Sequence, residues 1–395
     1  MRYGALAAAA LKYCNYVINQ LKYLDRLRAI AVIGVLVVHT SQFAFANLSD
    51  SGSTGLAIGT LLSAGRFGVE VFFLLSGFLL SYLYEAPGKP KSNKQFFLAR
   101  FFRIWPLWII FSGIWSLVYL LANNEVSEVL EPDWVLTGFI LSSVFLLWLS
   151  PEHYDSFIGG AWSIQIEVFS YVIFAAMRNF SVTRILVLAT FVNLLGLALV
   201  FIGDMEGFGI LDALRRLSFQ TGFNFFVLGW LLARVYTHHN LLTENPATVK
   251  SSVLESFTFV FSRHSVLLSA WMLTFLLSPA IYGNTIEAIG FVALALIFAQ
   301  LSGKSSQISN LLERTGKLSY FMFFMHFVLL YALDLAIPSE SRPSSLALVL
   351  AFDAVAIPII FVACYIPAIF SLKFFETPLM SFARRIGSGA KGNGS

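Results

Sequence analysis

The chain contains 395 residues, of which 57% are hydrophobic and only 12% are charged, and 40 of them are phenylalanine. A soluble domain carries about 25% charged residues, so this composition excludes an ordinary soluble enzyme. The net charge of +4 does not indicate nucleic-acid binding, because the lysines and arginines lie in short loops between apolar runs, as in membrane proteins. Cys14 and Cys364, the two cysteines, lie in no CxxC motif and beside no histidine cluster, which argues against disulfides and against a metal site.

The N-terminal segment MRYGALAAAAL has a basic start followed by small apolar residues. Because its apolar patch is short for a signal peptide, we expect residues 1–23 to form an interfacial helix that leads into the first membrane span. Residues 24–380 then form the transmembrane domain. Residues 381–395 are expected to form a flexible, basic cytoplasmic tail.

Apolar runs near or above 18 residues recur along the sequence and predict an all-α fold, a polytopic transmembrane helix bundle. Eleven apolar stretches are candidates for membrane spans: 28–46, 67–84, 104–122, 134–149, 163–177, 185–202, 222–236, 265–282, 286–301, 318–335 and 345–370.

Loop charges predict ten crossings. The positive-inside rule assigns basic loops to the cytoplasm, with the spans counted back from the basic segment ARRIGSGAK or forward from YLDRLR. The two assignments agree only if one apolar stretch does not cross the membrane. The stretch 134–149 has acidic flanks without lysine or arginine, so we expect it to be re-entrant or to lie on the outer face. Both termini are then cytoplasmic. Eleven crossings, with one terminus outside, is the alternative.

The first span carries two ionisable residues, Arg28 and His39, eleven positions apart. At about 100° and 1.5 Å per residue, they share one face of a helix and lie about 16 Å apart. Arg28 is then close to the cytoplasmic headgroups and His39 close to the middle of the bilayer, where ionisable groups are costly and indicate function. The structural alternative is that His39 hydrogen-bonds a neighbouring helix while Arg28 marks the cytoplasmic end.

The loop after the second span is basic and contains Lys89, Lys91 and Lys94, followed by Arg100 and Arg103. Arg100 and Arg103 are three residues apart, so they face the same way on a helix. Two guanidinium groups on one face suit bidentate binding of phosphates. The alternative is a basic cytoplasmic loop that sets the topology and contacts anionic lipid.

The second span combines Glu70 and Ser76 with three glycines, Gly65, Gly68 and Gly77. The glycines indicate close packing of helices rather than catalysis. Glu70, close to the outer end of the span, is a candidate for substrate binding. Ser76 is a second candidate, because its hydroxyl can donate a hydrogen bond to an oxyanion.

The segment AWSIQIE opens the stretch 163–177 and supplies Trp162, Ser163 and Glu167. Trp162 and Ser163 are candidates for substrate binding, and Ser163 and Glu167 lie on one helix face. Glu167 is about 8 Å from the outer edge of its helix, at a depth comparable with that of His39. Since a carboxylate fixes the tautomer of an imidazole and raises its basicity, we predict His39 and Glu167 as the catalytic pair. The alternative is an interhelical pair that serves folding alone.

Later in the chain, Arg216 precedes the stretch 222–236, and the segment GKLSYFMFFMH contains Tyr320 and His326. Tyr320 and His326 are further candidates for substrate binding. The alternative for His326 is a core histidine whose hydrogen bonds are satisfied within the protein.

Six segments, taken in order, resemble the acyltransferase-3 family of integral membrane acyltransferases. They are LDRLRAIAVIGVLVVH, FGVEVFFLLSGFLL, LARFFRIWP, WSIQIE, GKLSYFMFFMH and KFFETP, and they run from residue 24 to residue 378. The resemblance implies that two pairs are essential for acyl transfer, Arg28 with His39 and Arg100 with Arg103.

The sequence departs from the family in two places. The family often has glycine where Arg26 and Ala29 stand, and it often has proline two residues after the late histidine, where Val328 stands. The second departure weakens a role for His326. Many bacterial members also carry an extracytoplasmic hydrolase-like domain, and we expect this protein to be a stand-alone member without one.

Residues and resemblance together predict a membrane O-acyltransferase with acyl-CoA, expected to be acetyl-CoA, as co-substrate and without a metal. Arg28, Arg100 and Arg103 would bind the phosphates of acyl-CoA from the cytoplasm. His39 would act as the general base on an acceptor hydroxyl, and an acyl-enzyme on His39 is left open. The expected acceptor is a cell-surface or exported carbohydrate or a glycolipid, at the cytoplasmic membrane of a bacterium. The oligomeric state is left open, with a homo-oligomer among the possibilities.

Three other functions are weighed against this one. A proton-coupled transporter or exporter with His39 and Glu167 as a relay should show internal repeats and paired broken helices, which the sequence does not show. The other large superfamily of membrane O-acyltransferases would place its histidine at His326 and leave the first-span pair unexplained. A purely structural or sensing role explains neither arginine pair.

Overall fold

A computed structural model of the chain describes residues 2–45, 58–59, 62–85, 92–122, 132–150, 158–202, 221–242, 249–277, 285–303 and 305–387. Within these ranges the regular secondary structure is helical, without a β-strand, which confirms the all-α prediction. Lys89, Lys91, Arg216 and the tail after residue 387 lie outside the described residues.

The α-helices are long and follow one another closely. In chain order they are α1 (Arg2–Phe45), α2 (Gly68–Tyr84), α3 (Asn93–Ala122), α4 (Pro132–Ser143), α5 (Ala161–Met177), α6 (Val182–Ile202), α7 (Thr221–Leu242), α8 (Val249–Leu277), α9 (Thr285–Ser302), α10 (Ser306–Ala336), α11 (Leu346–Ser371) and α12 (Thr377–Gly387). A 3-10 helix at Ala64–Phe67 leads directly into α2, and a π-helical turn at Leu372–Glu376 joins α11 to α12.

Five helical segments among the described residues are long and apolar enough to cross a membrane. They are Lys22–Phe45, Ala64–Tyr84, Asn93–Leu121, Ser306–Ala336 and Leu346–Gly387. Four shorter apolar helices accompany them, at Ala161–Met177, Val182–Ala198, Arg263–Leu277 and Glu287–Ser302. Large apolar side chains such as Leu121, Leu294 and Ile359 are more than half exposed on these helices, as expected of surfaces that face lipid. The protein is therefore an integral membrane protein.

The helix in the predicted non-crossing stretch is short. α4 has 12 residues and is followed by a single 3-10 turn at Leu147–Leu149. At 1.5 Å per residue α4 is about 18 Å long, less than the hydrocarbon core of about 30 Å. By length alone, α4 does not reach across a bilayer.

The chain divides into two compact units. The first comprises Met1–Phe72 and Glu287–Leu372, and the second comprises Phe73–Ile286 and Lys373–Ser395. Helix α2 contributes to both, because the division falls between its fifth and sixth residues.

In the first unit, α1 packs against α10, α11 and the 3-10 helix, and α10 packs against α11. Glycines let these backbones touch. A Cβ atom on Gly65 would lie 2.1 Å from the carbonyl oxygen of Gly34, and one on Gly68 would lie 2.2 Å from that of Ala31. The packing role predicted for these glycines is therefore confirmed, since any larger residue would force the helices apart.

A buried ion pair also ties the first unit together. Arg26 on α1 donates from Nη1 to Glu313 Oε1 at 2.9 Å and to Ser309 Oγ at 3.2 Å, both on α10. Its Nε donates to the carbonyl oxygen of Ala299 on α9 at 3.0 Å. The arginine that stands where the family often has glycine is therefore fully engaged in joining α1 to α9 and α10.

In the second unit, α7 packs against α5, α6 and α8, and α3 packs against α4 and α12. The centre of the α6–α7–α8 group is polar. Asn193 and Asn224 exchange two hydrogen bonds of 3.1 Å, and Asn224 Oδ1 also accepts from Trp271 Nε1 at 3.0 Å. These side chains are 1% exposed or less, so satisfied amide groups fix the register of three apolar helices.

The junction of α2 and α7 in the second unit is closed by an ion pair. Arg234 donates from Nε and Nη2 to the two oxygens of Glu85 at 2.9 and 2.8 Å, a bidentate arrangement. Trp230 Nε1 donates to the same carboxylate at 2.9 Å. The helices meet closely nearby, since a Cβ atom on Gly77 would lie 2.0 Å from the carbonyl oxygen of Phe226.

Candidate active site

Helix α1 carries Arg28 and His39 on one continuous helix, so the spacing of about 16 Å on a shared face applies. Arg28 lies near the start of the apolar span Lys22–Phe45 within α1, where its Nη1 donates to Asp25 Oδ1 at 2.8 Å. The guanidinium group of Arg28 is thus fixed by an acidic neighbour one turn away. His39 lies three turns farther along the helix.

His39 is surrounded by rings from α10. Its imidazole stacks on that of His326, with the ring centroids 5.4 Å apart and the planes 25° apart. Phe327 contacts the same imidazole at 5.0 Å. A polar contact comes from α1 itself, where His39 Nδ1 lies 3.1 Å from Gln42 Oε1. With Gln42 Oε1 as the acceptor, Nδ1 carries the proton of a neutral His39 and Nε2 is the nitrogen left to act as a base.

His326 is fully buried, and only one of its ring nitrogens is satisfied. Its Nδ1 lies 3.3 Å from the carbonyl oxygen of Met322, one turn earlier on α10. Its Nε2 has no hydrogen-bond partner among the described residues. The described residues therefore do not satisfy both ring nitrogens of His326, as the alternative of a core histidine requires.

A second polar contact of α1 lies two residues after His39. Ser41 Oγ donates to Asp353 Oδ2 on α11 at 2.8 Å, and Asp353 is 5% exposed. The sequence did not identify Ser41, because a single serine in an apolar helix is unremarkable and its partner is 312 positions away.

In the second unit, α3 presents the two arginines of the LARFFR segment. The guanidinium carbon of Arg100 lies 5.9 Å from the centroid of the Tyr171 ring on α5. Its Nε is buried and has no hydrogen-bond partner among the described residues. Arg103 is exposed, so one guanidinium group is held inside the protein and the other is accessible.

Glu167 on α5 is the acceptor at the centre of this cluster. Its Oε1 accepts a hydrogen bond of 3.0 Å from Ser76 Oγ on α2 and a short one from the Tyr171 hydroxyl. Its charge also interacts with that of Arg100. The structure thus brings together three predicted residues, Arg100, Glu167 and Ser76, around Tyr171.

The remaining predicted site residues have local contacts. Ser163 donates to the carbonyl oxygen of Gly160 at 2.7 Å, which satisfies a backbone acceptor where α5 begins. The Tyr320 ring meets that of Phe324 edge-on at 4.9 Å. Glu70 is 5% exposed in the first turn of α2, and Trp162 is half-buried in the first turn of α5.

His39 and Glu167 belong to different units, and the contact between them stays a prediction. Tyr171 is the residue that the sequence reasoning missed. A signal for it existed, because Tyr171 follows Glu167 by four residues and such pairs share a helix face. The sequence prediction places Glu167 beside Ser163, four residues in the other direction, and pairs it with His39.

The profile of the family described as "Acyltransferase domain" (Acyl_transf_3) matches residues 21–370. The chain belongs to this acyltransferase family. The predicted resemblance to the acyltransferase-3 family is confirmed. Membership favours group transfer over the alternative of proton-coupled transport.

Three curated relatives of this acyltransferase are informative. A Staphylococcus aureus (strain COL) protein named for O-acetyltransferase activity is 24% identical over 385 residues, 90% of this chain and 56% of its own length. The peptidoglycan O-acetyltransferase OatA of Listeria monocytogenes is 27% identical over 161 residues, 39% of this chain and 23% of its own. The Bacillus subtilis protein YrhL, named for peptidoglycan O-acetylation, is 28% identical over 161 residues, 38% of this chain and 22% of its own.

The acyltransferase chain spans about half the length of the Staphylococcus aureus relative, and its matches to the other two cover less than a quarter of those proteins. No solved structure matches the chain.

Proposed function

We propose that this acyltransferase is an O-acetyltransferase that transfers acetyl groups from cytoplasmic acetyl-CoA to a hydroxyl of an extracytoplasmic or membrane-associated carbohydrate. The observation that carries the proposal is the family match over residues 21–370. Relatives named for O-acetylation and for peptidoglycan as acceptor support the acetyl group and the class of acceptor.

The proposed topology follows the loop charges. Both termini lie in the cytoplasm, ten helices cross, and α4 remains on or partly inside the outer leaflet. The cytoplasmic membrane of a bacterium is the proposed location. The short length of α4 supports its exclusion from the crossings, and Arg28 at the N-terminal side of its span supports a cytoplasmic donor site.

The donor binds through its phosphates. Arg100 and Arg103 are one helical turn apart on α3, and Arg28 lies close to the proposed cytoplasmic end of the span Lys22–Phe45. Guanidinium groups bind phosphate oxygens through paired hydrogen bonds. The buried, unsatisfied Nε of Arg100 supports a ligand oxygen at that position.

The chemistry takes place at His39. Its unprotonated Nε2 accepts the proton of the acceptor hydroxyl, and the alcohol oxygen attacks the thioester carbonyl. The tetrahedral intermediate collapses as the C–S bond breaks, and the thiolate of coenzyme A takes the proton from His39. The products are the acetyl ester and free coenzyme A.

Other side chains assist this step. His326 Nε2 hydrogen-bonds the acceptor or the oxyanion. Ser76 and Ser163 are further candidates for oxyanion donors, and each must first release the oxygen to which it donates here, Glu167 Oε1 or the carbonyl of Gly160. The sequence-based pairing of Glu167 with His39, in which the carboxylate orients the imidazole, stays part of the proposal. Glu70, Trp162 and Tyr320 contact the acceptor.

The test is acetyl transfer in membrane vesicles supplied with radiolabelled acetyl-CoA, with label counted in the envelope carbohydrate. His39→Ala is expected to lower transfer at least about 100-fold, the usual contribution of a general base. Its elution as a single species in size-exclusion chromatography is the control for folding. Transfer at the wild-type rate by folded His39→Ala rejects His39 as the base. Label that never reaches carbohydrate in the wild type rejects the acceptor class.

A further inference from the structure

The hydroxyl of Tyr171 interacts with two charged groups, the carboxylate of Glu167 and the guanidinium group of Arg100. Tyr171 is 3% exposed on α5, and its O–H donates to Glu167 Oε1 one turn earlier on the same helix. Ser76 on α2 donates to the same oxygen. Two hydroxyls from two helices therefore fix the carboxylate, and the carboxylate in turn fixes the tyrosine ring.

The fixed ring and carboxylate together create a binding surface for a cation. Arg100 uses it, with its guanidinium carbon 5.9 Å from the ring centroid and its charge attracted by Glu167. The ring face attracts cations through its quadrupole. Arg103, one turn farther along α3, is exposed and has more rotamer freedom.

The guanidinium group of Arg100 has one donor, its Nε–H, that is not satisfied by the protein. Arginine has five N–H donors in a rigid planar fork, and the buried Nε of Arg100 has no partner among the described residues. A buried charged donor without an acceptor is unfavourable. The Nε–H of Arg100 is therefore a fixed donor to which an oxyanion of a ligand can bind.

We propose that Tyr171, together with Glu167, is a positioning residue that presents the Nε edge of Arg100 to a phosphate oxygen of acetyl-CoA. This inference rests on the proposed function, because it takes the donor to be a coenzyme A thioester. The phosphates are the only anionic groups of that donor. Tyr171 does not contact the donor, and it acts by fixing the direction in which Arg100 points.

The experiment measures equilibrium binding of acetyl-CoA to the full-length protein in neutral detergent, followed by transfer kinetics. Tyr171→Phe keeps the ring and removes the hydroxyl that interacts with Glu167 and Arg100. It is expected to weaken binding of acetyl-CoA at least about tenfold, in line with one lost hydrogen bond to a charged group. In kinetics, KM for acetyl-CoA should rise by the same factor with little change in kcat.

Tyr365→Phe is the matched control. Tyr365 stacks on Phe361 in α11, outside the proposed site, and losing its hydroxyl should leave binding of acetyl-CoA unchanged. If Tyr171→Phe does not fold, Glu167→Gln is measured in its place, because it keeps an acceptor for Tyr171 but removes the charge that attracts Arg100. Unchanged affinity in a folded Tyr171→Phe or Glu167→Gln variant overturns the inference, as does a loss confined to kcat.

Two further arms separate the possible failures. A wild-type protein that binds no acetyl-CoA refutes the proposed donor itself. Weak binding by Arg100→Ala with normal binding by Tyr171→Phe refutes only the inference. Dephospho-acetyl-CoA, which lacks the ribose phosphate, identifies the phosphate, since the effect of Tyr171→Phe disappears with this ligand if Arg100 contacts that group and persists if it contacts the pyrophosphate.

Anionic lipid is the other source of phosphate oxygens. Binding of acetyl-CoA is therefore repeated in nanodiscs of phosphatidylcholine and of phosphatidylglycerol. Equal sensitivity to Tyr171→Phe in both supports the coenzyme as the ligand. If phosphatidylglycerol displaces acetyl-CoA from the wild type but not from Arg100→Ala, the guanidinium group of Arg100 binds a lipid headgroup. That result overturns the inference.

Discussion

The surroundings of His39 and of Glu167 differ in the kind of group that they contain. His39, in the first unit, is contacted by a second imidazole, a phenylalanine ring and an amide. Glu167, in the second unit, is contacted by two hydroxyls and lies within the field of Arg100. Neutral, polarisable neighbours suit a group that must gain and lose a proton. Fixed, opposite charges suit a site that holds an anion.

The same contrast applies to the ion pairs that hold the helices. In the first unit, Arg26 and Glu313 join α1 to α10, at a distance along α1 from the imidazoles. In the second unit, Arg234 and Glu85 join α7 to α2. These two arginines bind carboxylates directly, whereas the Nε of Arg100 has no protein partner among the described residues, as is also true of one nitrogen each of Arg178 and Arg342. The proposed function assigns the two ion pairs to folding and Arg100 to binding of the donor.

The largest effect on stability is expected from Arg26→Ala. It leaves Glu313 as a buried charge without its cation, a change that typically costs about 3 kcal/mol or more. Thermal unfolding of the detergent-purified protein measures the loss. Arg26→Ala combined with Glu313→Ala should recover part of it, because no unpaired charge then remains. An unfolding temperature equal to that of the wild type would show that the pair contributes nothing.

A similarly large effect, on binding, is expected from Arg100→Ala combined with Arg103→Ala. Loss of two phosphate contacts should raise KM for acetyl-CoA about 100-fold, since a hydrogen bond to a charged group is worth about 1.5–3 kcal/mol, with kcat little changed. Steady-state transfer kinetics separate the two constants. A fall in kcat at constant KM would move the pair from donor binding to the chemical step.

A smaller effect is expected from His326→Phe, which keeps a ring against His39 and removes both ring nitrogens. We expect kcat to fall about tenfold with KM for acetyl-CoA unchanged, the usual effect of one lost hydrogen bond of about 1.4 kcal/mol. Phe327→Leu is the comparison, because Phe327 also contacts His39 but carries no hydrogen-bonding atom. Equal losses in the two variants would mean that His326 only packs.

The helical periodicity was sufficient to predict part of this arrangement. Arg28 and His39 lie on one unbroken helix as expected, because eleven residues bring a helix back to the same face. Gly65 and Gly68 pack as expected, because small residues have few other uses in a membrane helix. The charges that flank the stretch 134–149 predict that it does not cross the membrane, and α4, the helix at its start, has only 12 residues.

The rest depends on contacts that no local pattern encodes. His39 and His326 stack although 287 positions separate them, and Arg26 meets Glu313 over the same separation. Such pairs follow from which helix faces meet, and the apolar faces of membrane helices are nearly equivalent in sequence. Tyr171 is the exception, because its spacing of four residues from Glu167 indicates a shared helix face. The role proposed for Tyr171 nevertheless depends on the position of Arg100, which the sequence does not encode.

The most direct test of the account is equilibrium binding of acetyl-CoA to His39→Ala. Because donor binding is proposed for the arginines and proton transfer for His39, this variant should bind acetyl-CoA with wild-type affinity while transferring no acetyl group. Loss of acetyl-CoA binding by a folded His39→Ala protein, or acetyl transfer at the wild-type rate, would contradict this division of roles.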